Sequence, residues 1–122
     1  MDSRDLRIKP SGRSVVTYET TSIEIFMDSK DRSGRLSNLF SVTRNQGYAS
    51  ALMRLICDWA DENDVYLWLV AKPYGTPRGI LSQEQLVRFY GRFGFAQKPA
   101  STRYTLYRRH QKNIERRPPE GL

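Results

Sequence analysis

The sequence predicts an α/β or α+β domain, a sheet with at least two covering helices. Three observations carry that expectation. β-Branched and aromatic runs fill the chain from Val15 to Val42, an apolar stripe of helical period begins at Tyr48, and a second stripe surrounds Tyr90 with extended runs on either side.

Taken in order, "DLRIKP" reads as an edge strand ended by Pro10. "SVVTYET" and "SIEIFMD" read as a hairpin, and "RLSNLFSV" as a third extended run after the polar "SKDRSG". Tyr48, Leu52, Leu55, Ile56 and Trp59 then recur at steps of three and four, which predicts a helix closed by "ENDV". "VYLWLVA" is almost wholly apolar and suits a central strand covered on both faces. "KPYGTPRG" is a loop. Ser82 with Gln85 has the form of a capping box for a second helix, whose stripe is Leu86, Phe89, Tyr90 and Phe93 and whose stop is Gly94. "FAQ" and "YTLYRR" supply two last short strands. The division that follows is one domain over 1–108 and a basic tail over 109–122.

Composition narrows the function. The chain of 122 residues is one small domain, and 39% hydrophobic content gives it enough side chains for a core. The single cysteine, Cys57, excludes an internal disulfide and a thiolate zinc cluster. Its neighbours Ile56 and Trp59 mark it as buried rather than nucleophilic, and the lone His110 has no catalytic company. No metal site is expected. No apolar run approaches the roughly 20 residues that span a bilayer, and the N-terminus lacks a signal-peptide core. A cytoplasmic protein without a membrane partner is the expectation. The formal charge of +7 is uneven, with +1 over residues 1–61 and +6 over residues 62–122. Such a basic half suits nucleic acid or a phosphate-rich ligand and does not choose between them.

The junction "VTRNQGYASALM" carries the chemistry. A helix start leaves about four backbone N–H groups unpaired, with the positive end of the macrodipole beside them. Gly47 allows close approach to those amides, Ala49 is small, and Arg44 adds formal charge. These are the ingredients of a pyrophosphate site. The same residues also suit an ordinary turn into a helix, and the junction alone leaves both readings open.

The stretch resembles motif A of the GNAT superfamily of N-acetyltransferases, Q/R-x-x-G-x-G/A, at Arg44, Asn45, Gln46, Gly47, Tyr48 and Ala49. Downstream, "QEQLVRFYGRFGF" resembles motif B, N-x-x-A-x-x-L-Y-x-K-x-G-F. Tyr90, Gly94 and Phe95 match outright, whereas Gln83 stands for the Asn, Leu86 for the Ala, Phe89 for the Leu and Arg92 for the Lys. The two motifs flank "VYLWLVA" in the order the family requires, and the likeness runs from about Arg35 to Tyr107. It implies a compact GNAT fold, with a mixed, mostly antiparallel central sheet and an N-terminal helix pair that is reduced or absent. It also implies acetyl-CoA as co-substrate. Its pyrophosphate would lie on the motif A amides, its pantetheine arm would run along Phe40, Ser41 and Val42, and Gln83 and Tyr90 would complete the site.

The implied reaction is acetyl transfer to a primary amine by direct attack in a ternary complex. A lysine ammonium, with pKa about 10.4, must first lose a proton. By resemblance Tyr90 is the general acid for the departing thiolate, its hydroxyl being a neutral donor at pH 7. The alternative reading is one more core residue of the Leu86–Phe89–Phe93 stripe. A backbone amide of the strand ending at Val42 would hold the developing oxyanion. Glu24 is the candidate base, with Asp28 on the same strand face and Asn38 able to orient a water.

Without a helix pair the acceptor side is open, which suits a lysine on a folded protein, such as a host nucleic-acid-binding or defence protein. This compact form is similar to small phage-encoded acetyltransferases, among them an anti-CRISPR acetyltransferase. Arg108, Arg109, Lys112, Arg116 and Arg117 are candidates for steering the chain to a nucleoprotein, or are a solvated tail. Lys72 and Arg78 flank the loop beside the acceptor entrance. A small-amine acetyltransferase, and a silent GNAT-fold module binding nucleic acid or protein through its basic half, are the alternatives.

Overall fold

Six strands form one sheet in the order β1-β2-β3-β4-β6-β5, in a computed structural model that describes residues 2–42, 46–71, 83–97 and 105–109. The strands are β1 (Gly12–Tyr18), β2 (Thr21–Asp28), β3 (Ser33–Ser41), β4 (Tyr66–Val70), β5 (Ala96–Gln97) and β6 (Thr105–Arg108). The helices are α1 (Tyr48–Glu62) and α2 (Gln83–Gly91). Every strand pairing is antiparallel except β3 with β4. The α+β class, the mostly antiparallel mixed sheet and the two helices match the sequence expectation. The missing helix pair does too, because only Glu19 and Thr20 separate β1 from β2.

One face of the sheet carries the core. Ile23, Ile25, Leu36, Leu67 and Leu106 point to it and meet Leu52, Met53, Ile56 and Ala60 of α1. Gly34 lies on this face because a side chain there has no room. A Cβ would sit 2.9 Å from Met27 Sδ and 3.0 Å from Ile25 Cδ1. Tyr90 and Phe95 join the same cluster, so α2 packs on the side that α1 covers. Cys57 is buried within it, and burial pushes its thiol up to about 12, which keeps it protonated and unreactive.

Three expectations need correction. "DLRIKP" is not a strand: Ser3–Asp5 form a 3₁₀ turn whose N-terminus is held by a reciprocal pair of bonds between Asp2 and Asp5. Local capping chemistry outcompetes a short extended run there, and Ser3 Oγ then donates to Glu62 Oε1 at 2.7 Å. "VYLWLVA" is central but not covered on both faces, since Tyr66, Trp68 and Val70 alternate as half-buried with buried Leu67 and Leu69. Its outward residues are large and apolar, and no helix among the described residues lies above them.

Arg108 is the third. It lies in β6, as the strand reading of "YTLYRR" has it, but it is not one of the cations of a solvated tail, since its side chain is 5% exposed. Its guanidinium donates to both carboxylate oxygens of Asp61 on α1, at 2.8 and 3.0 Å, and to the Phe93 carbonyl after α2 at 2.6 Å. One planar cation thus ties the last strand to the ends of both helices. The Ser82 cap, Lys72, Arg78 and the tail from residue 110 onward lie outside the described residues.

Truncating Asp61 leaves a buried guanidinium without its charge partner. Asp61→Ala is expected to lower unfolding free energy by about 3 kcal/mol in a urea titration. A loss below about 1 kcal/mol, the range of an exposed pair, would show that the bridge is not structural.

Candidate functional site

The parallel contact between β3 and β4 is only three residues long. Ser33, Gly34 and Arg35 pair with Tyr66, Leu67 and Trp68, and the ladder stops there. β3 continues to Ser41 paired on its β2 side alone, while Leu69 and Val70 pair with β6 on the other side. The two strands therefore part towards their C-terminal ends. Among the described residues, no strand fills the edges that face each other across this gap.

A bulge contributes to the parting. Ser22 pairs with Phe40 and Glu24 with Ser37, so β3 holds one residue more than β2 between these pairs. Asn38 sits in that interval at φ 55, a left-handed conformation that Asn tolerates better than most residues. Its amide Nδ2 donates to Glu24 Oε1, and Arg13 Nε donates to Glu24 Oε2. Both carboxylate oxygens are therefore engaged. The Asn38 amide and the Arg13 guanidinium, donating to it, hold Glu24 below the usual carboxylate range. In this arrangement Glu24 is an ionised acceptor that fixes the bulge, a role that spacing alone did not reveal.

The helix start lies at the open end of the gap, since β3 leads directly towards it. Gly47 caps α1 with φ 74 and ψ 9, in the left-handed region, and no side chain caps the helix. The first helical bond runs from Ala51 N to Gly47 O at 3.0 Å, so the amides of Tyr48, Ala49 and Ser50 stand ahead of it. No acidic residue occupies the first turn. A Cβ built on Gly47 meets nothing within 4 Å. The glycine thus answers to backbone conformation and leaves open space above the amides. That space suits an anion such as a pyrophosphate, by the ordinary chemistry of helix N-termini.

The neighbouring contacts fix this junction. Thr21 Oγ1 donates to Ser41 Oγ at 2.8 Å, and Val42 N donates to Thr20 O at 3.1 Å. The Tyr48 ring meets Tyr18 edge-on, with centroids 5.9 Å apart. Phe40 and Val42 are 61% and 71% exposed, which is unusual for such side chains in a soluble core and leaves them available to a ligand. Gln46 is exposed and Ala49 half-buried. A groove of about 360 Å³ starts at Gly47 and follows α1 past Ser50, Ala51, Arg54 and Asp58. Arg54, which the apolar spacing of α1 did not single out, brings a cation to it. Arg44 and Asn45 lie outside the described residues.

Of the remaining site residues, Gln83 is the first residue of α2 and Tyr90 is near its end. Tyr90 is buried, with its ring edge-on to Phe89 at 5.1 Å and to Phe95 at 5.9 Å. The Phe95 and Gly94 of the second motif turn the chain back under it: Gly94 adopts φ 93, and Phe93 N donates to the Tyr90 carbonyl at 2.9 Å. No group of metal-ligating side chains occurs among the described residues. None of the described helices is long and apolar enough to cross a membrane.

The Glu24 bonds have a pH signature. A carboxyl with a lowered folded pKa adds stability above its ordinary value of 4.5, and that stability is lost as pH falls through the folded value. The stability gap between the native chain and Glu24→Gln is therefore expected to be constant near neutrality and to shrink below about pH 4.5 in parallel urea titrations. A gap that does not change with acidification removes the ionic role.

No protein-family model matches the chain, and no curated protein matches it. Among solved structures, the fold is similar to the crystal structure of the anti-CRISPR protein AcrVA5. The TM-score is 0.65 at 23% identity, over 79% of this chain and 96% of that one.

Proposed function

We propose that the chain is an acetyl-CoA-dependent N-acetyltransferase of the GNAT type, acting on a protein lysine in an anti-CRISPR-like role. The observation that carries this reading is the three-residue ladder between β3 and β4, which opens towards an uncapped helix start at Gly47. The two ordered motifs and the fold likeness to an anti-CRISPR protein support it.

The residues fit the ligand. The amides of Tyr48, Ala49 and Ser50 offer a pyrophosphate three donors, with Arg54 on the adjoining groove. The edge of β3 that faces the gap, from Leu36 to Phe40, pairs with no strand among the described residues and would offer amide and carbonyl partners to a pantetheine arm, flanked by exposed Phe40 and Val42. Bound acetyl-CoA supplies the activated acyl carbon and the thiol leaving group. The bulged backbone at Asn38, braced by Glu24, presents an amide for the developing oxyanion. Tyr90 donates the proton that the leaving thiolate needs. Glu24 braces the site rather than acting as its base, and the amine sheds its proton to water. The two-residue β1–β2 turn leaves no helical wall, so a lysine on a folded surface can approach.

Acetyl-CoA at about millimolar concentration is expected to raise the melting temperature by several degrees. Absence of any rise sinks the enzyme reading and favours the silent module. Gly47→Asn, whose residue accepts a positive φ, is expected to keep the fold while losing that rise. Gly47→Val is expected to lose both, because a β-branched residue is strained at φ 74.

Tyr90→Phe keeps the ring packing and is expected to reduce acetyl transfer about 100-fold or more while retaining the acetyl-CoA thermal shift. Mass spectrometry of a host lysate incubated with protein and acetyl-CoA reads the acceptor. One dominant acetylated lysine is expected, and scattered modification removes the specific protein-lysine claim.

A further inference from the structure

The face of the sheet opposite α1 and α2 is crossed by a row of paired residues, one from each of five strands. Arg13 pairs with Phe26, Phe26 with Arg35, Arg35 with Trp68, and Trp68 with Tyr107. Directly paired residues point to the same side, so these five side chains stand next to one another across β1, β2, β3, β4 and β6. Their sequence neighbours Ile25, Gly34, Leu67 and Leu106 all face the buried side. The row is held together by its own contacts. The Arg35 guanidinium lies 4.8 Å from the Phe26 ring centroid and 5.9 Å from that of Trp68. Tyr66 extends the aromatic surface, with its ring 5.7 Å from Tyr107.

Two features tell what this face is for. Arg35 is exposed and lies against those two rings, and among the described residues its guanidinium donates no hydrogen bond to a carboxylate or carbonyl, although its charge helps to hold Glu24 ionised. A structural arginine would be spent on a carboxylate or carbonyl, as Arg108 is. Of the acids on this side, Glu24 is bound by Arg13 and Asn38, and Asp28 accepts from Lys30 N at 2.9 Å. The row therefore offers the positive charge of Arg35 between two ring faces, with Arg13 paired to Glu24 at its end, on a chain of net charge +7.

We propose that this face binds single-stranded nucleic acid. Alternating cations and rings complement a strand that alternates phosphates and bases. Phe26 and Trp68, two strands apart, are separated by roughly 10 Å, which leaves room for successive bases to stack. A flat sheet of rings cannot reach bases inside a duplex, so the strand must be single. The surface is distinct from the helix start at Gly47, and the proposal does not rest on acetyl transfer.

The test uses the full chain and a fluorescein-labelled oligothymidylate, about a dozen nucleotides long, at low salt. Binding is expected to raise anisotropy and to quench tryptophan emission through stacking on Trp68, because Trp59 sits on α1 across the sheet. Trp68→Leu is expected to remove the quench, and Arg35→Ala to weaken binding about tenfold. Trp68→Phe should retain affinity within about threefold, which separates a lost ring from a lost fold. Arg88→Ala, an exposed cation on α2, should change it less than about twofold.

No binding overturns the proposal, as does equal affinity for the matching duplex. So does equal loss in Arg35→Ala and Arg88→Ala, which marks charge alone. Equal quenching by polyglutamate also overturns it, because the face would then be reading carboxylates and its partner would be a protein.

Discussion

Three residue pairs hold this sheet together. β1, β2 and β3 form one antiparallel unit, and β4, β6 and β5 form another, and only Ser33–Arg35 against Tyr66–Trp68 joins them. The joint is pinned at one end. Tyr66 N donates to the Arg32 carbonyl at 2.9 Å, and the Arg32 guanidinium reaches back to the carbonyls of Asn63 and Asp64. At the other end the Asn38 bulge adds twist to β3 and carries it away with β2. Strand edges without a neighbouring strand are a liability in most sheets, since backbone polar groups seek partners. Among the described residues no strand fills the gap between these two, and the helix start that follows β3 has no side-chain cap, which is the coincidence the proposed cofactor site rests on.

The arginines show how little a net charge says by itself. Arg108 is consumed in binding Asp61 and Phe93, Arg32 in bracing a turn, and Arg13 in neutralising Glu24. Arg54 and Arg35 are placed differently, one on the groove beside Gly47 and one between two rings. The two surfaces lie on opposite faces of the sheet. Each places a cation beside a different kind of group: helix-start amides on one face, and aromatic rings on the other.

Much of the fold was legible because it rests on local pattern. Alternation in "SVVTYET" and "SIEIFMD" gave the hairpin, and steps of three and four from Tyr48 gave α1. Gly47 and Gly94 mark positions where the backbone takes a positive φ, and glycine announces that in sequence. What was not legible depends on partners distant along the chain. Arg108 reads as one more basic residue near a tail until β6 brings it to Asp61. Asn38 reads as a residue able to orient a water until Glu24 is seen on the neighbouring strand. The apolar run at β4 implied two covered faces, whereas its outward residues belong to a row that no single strand encodes. Extended character in "DLRIKP" was overridden by two aspartates that bond each other's backbone.

The short joint also shapes how the chain folds. Contacts within β1–β2–β3 form between near neighbours, so they close small loops at low entropic cost. The joint instead brings together groups such as Arg32 and Asp64, 32 residues apart, and Arg108 closes on Asp61 across 47. The slow step is therefore the docking of the second strand unit onto a meander that already exists, with α1 as the strap between them. A sheet whose halves touch over so few residues unzips where it was last joined. The gap between β3 and β4 is thus also the line along which the native state first opens.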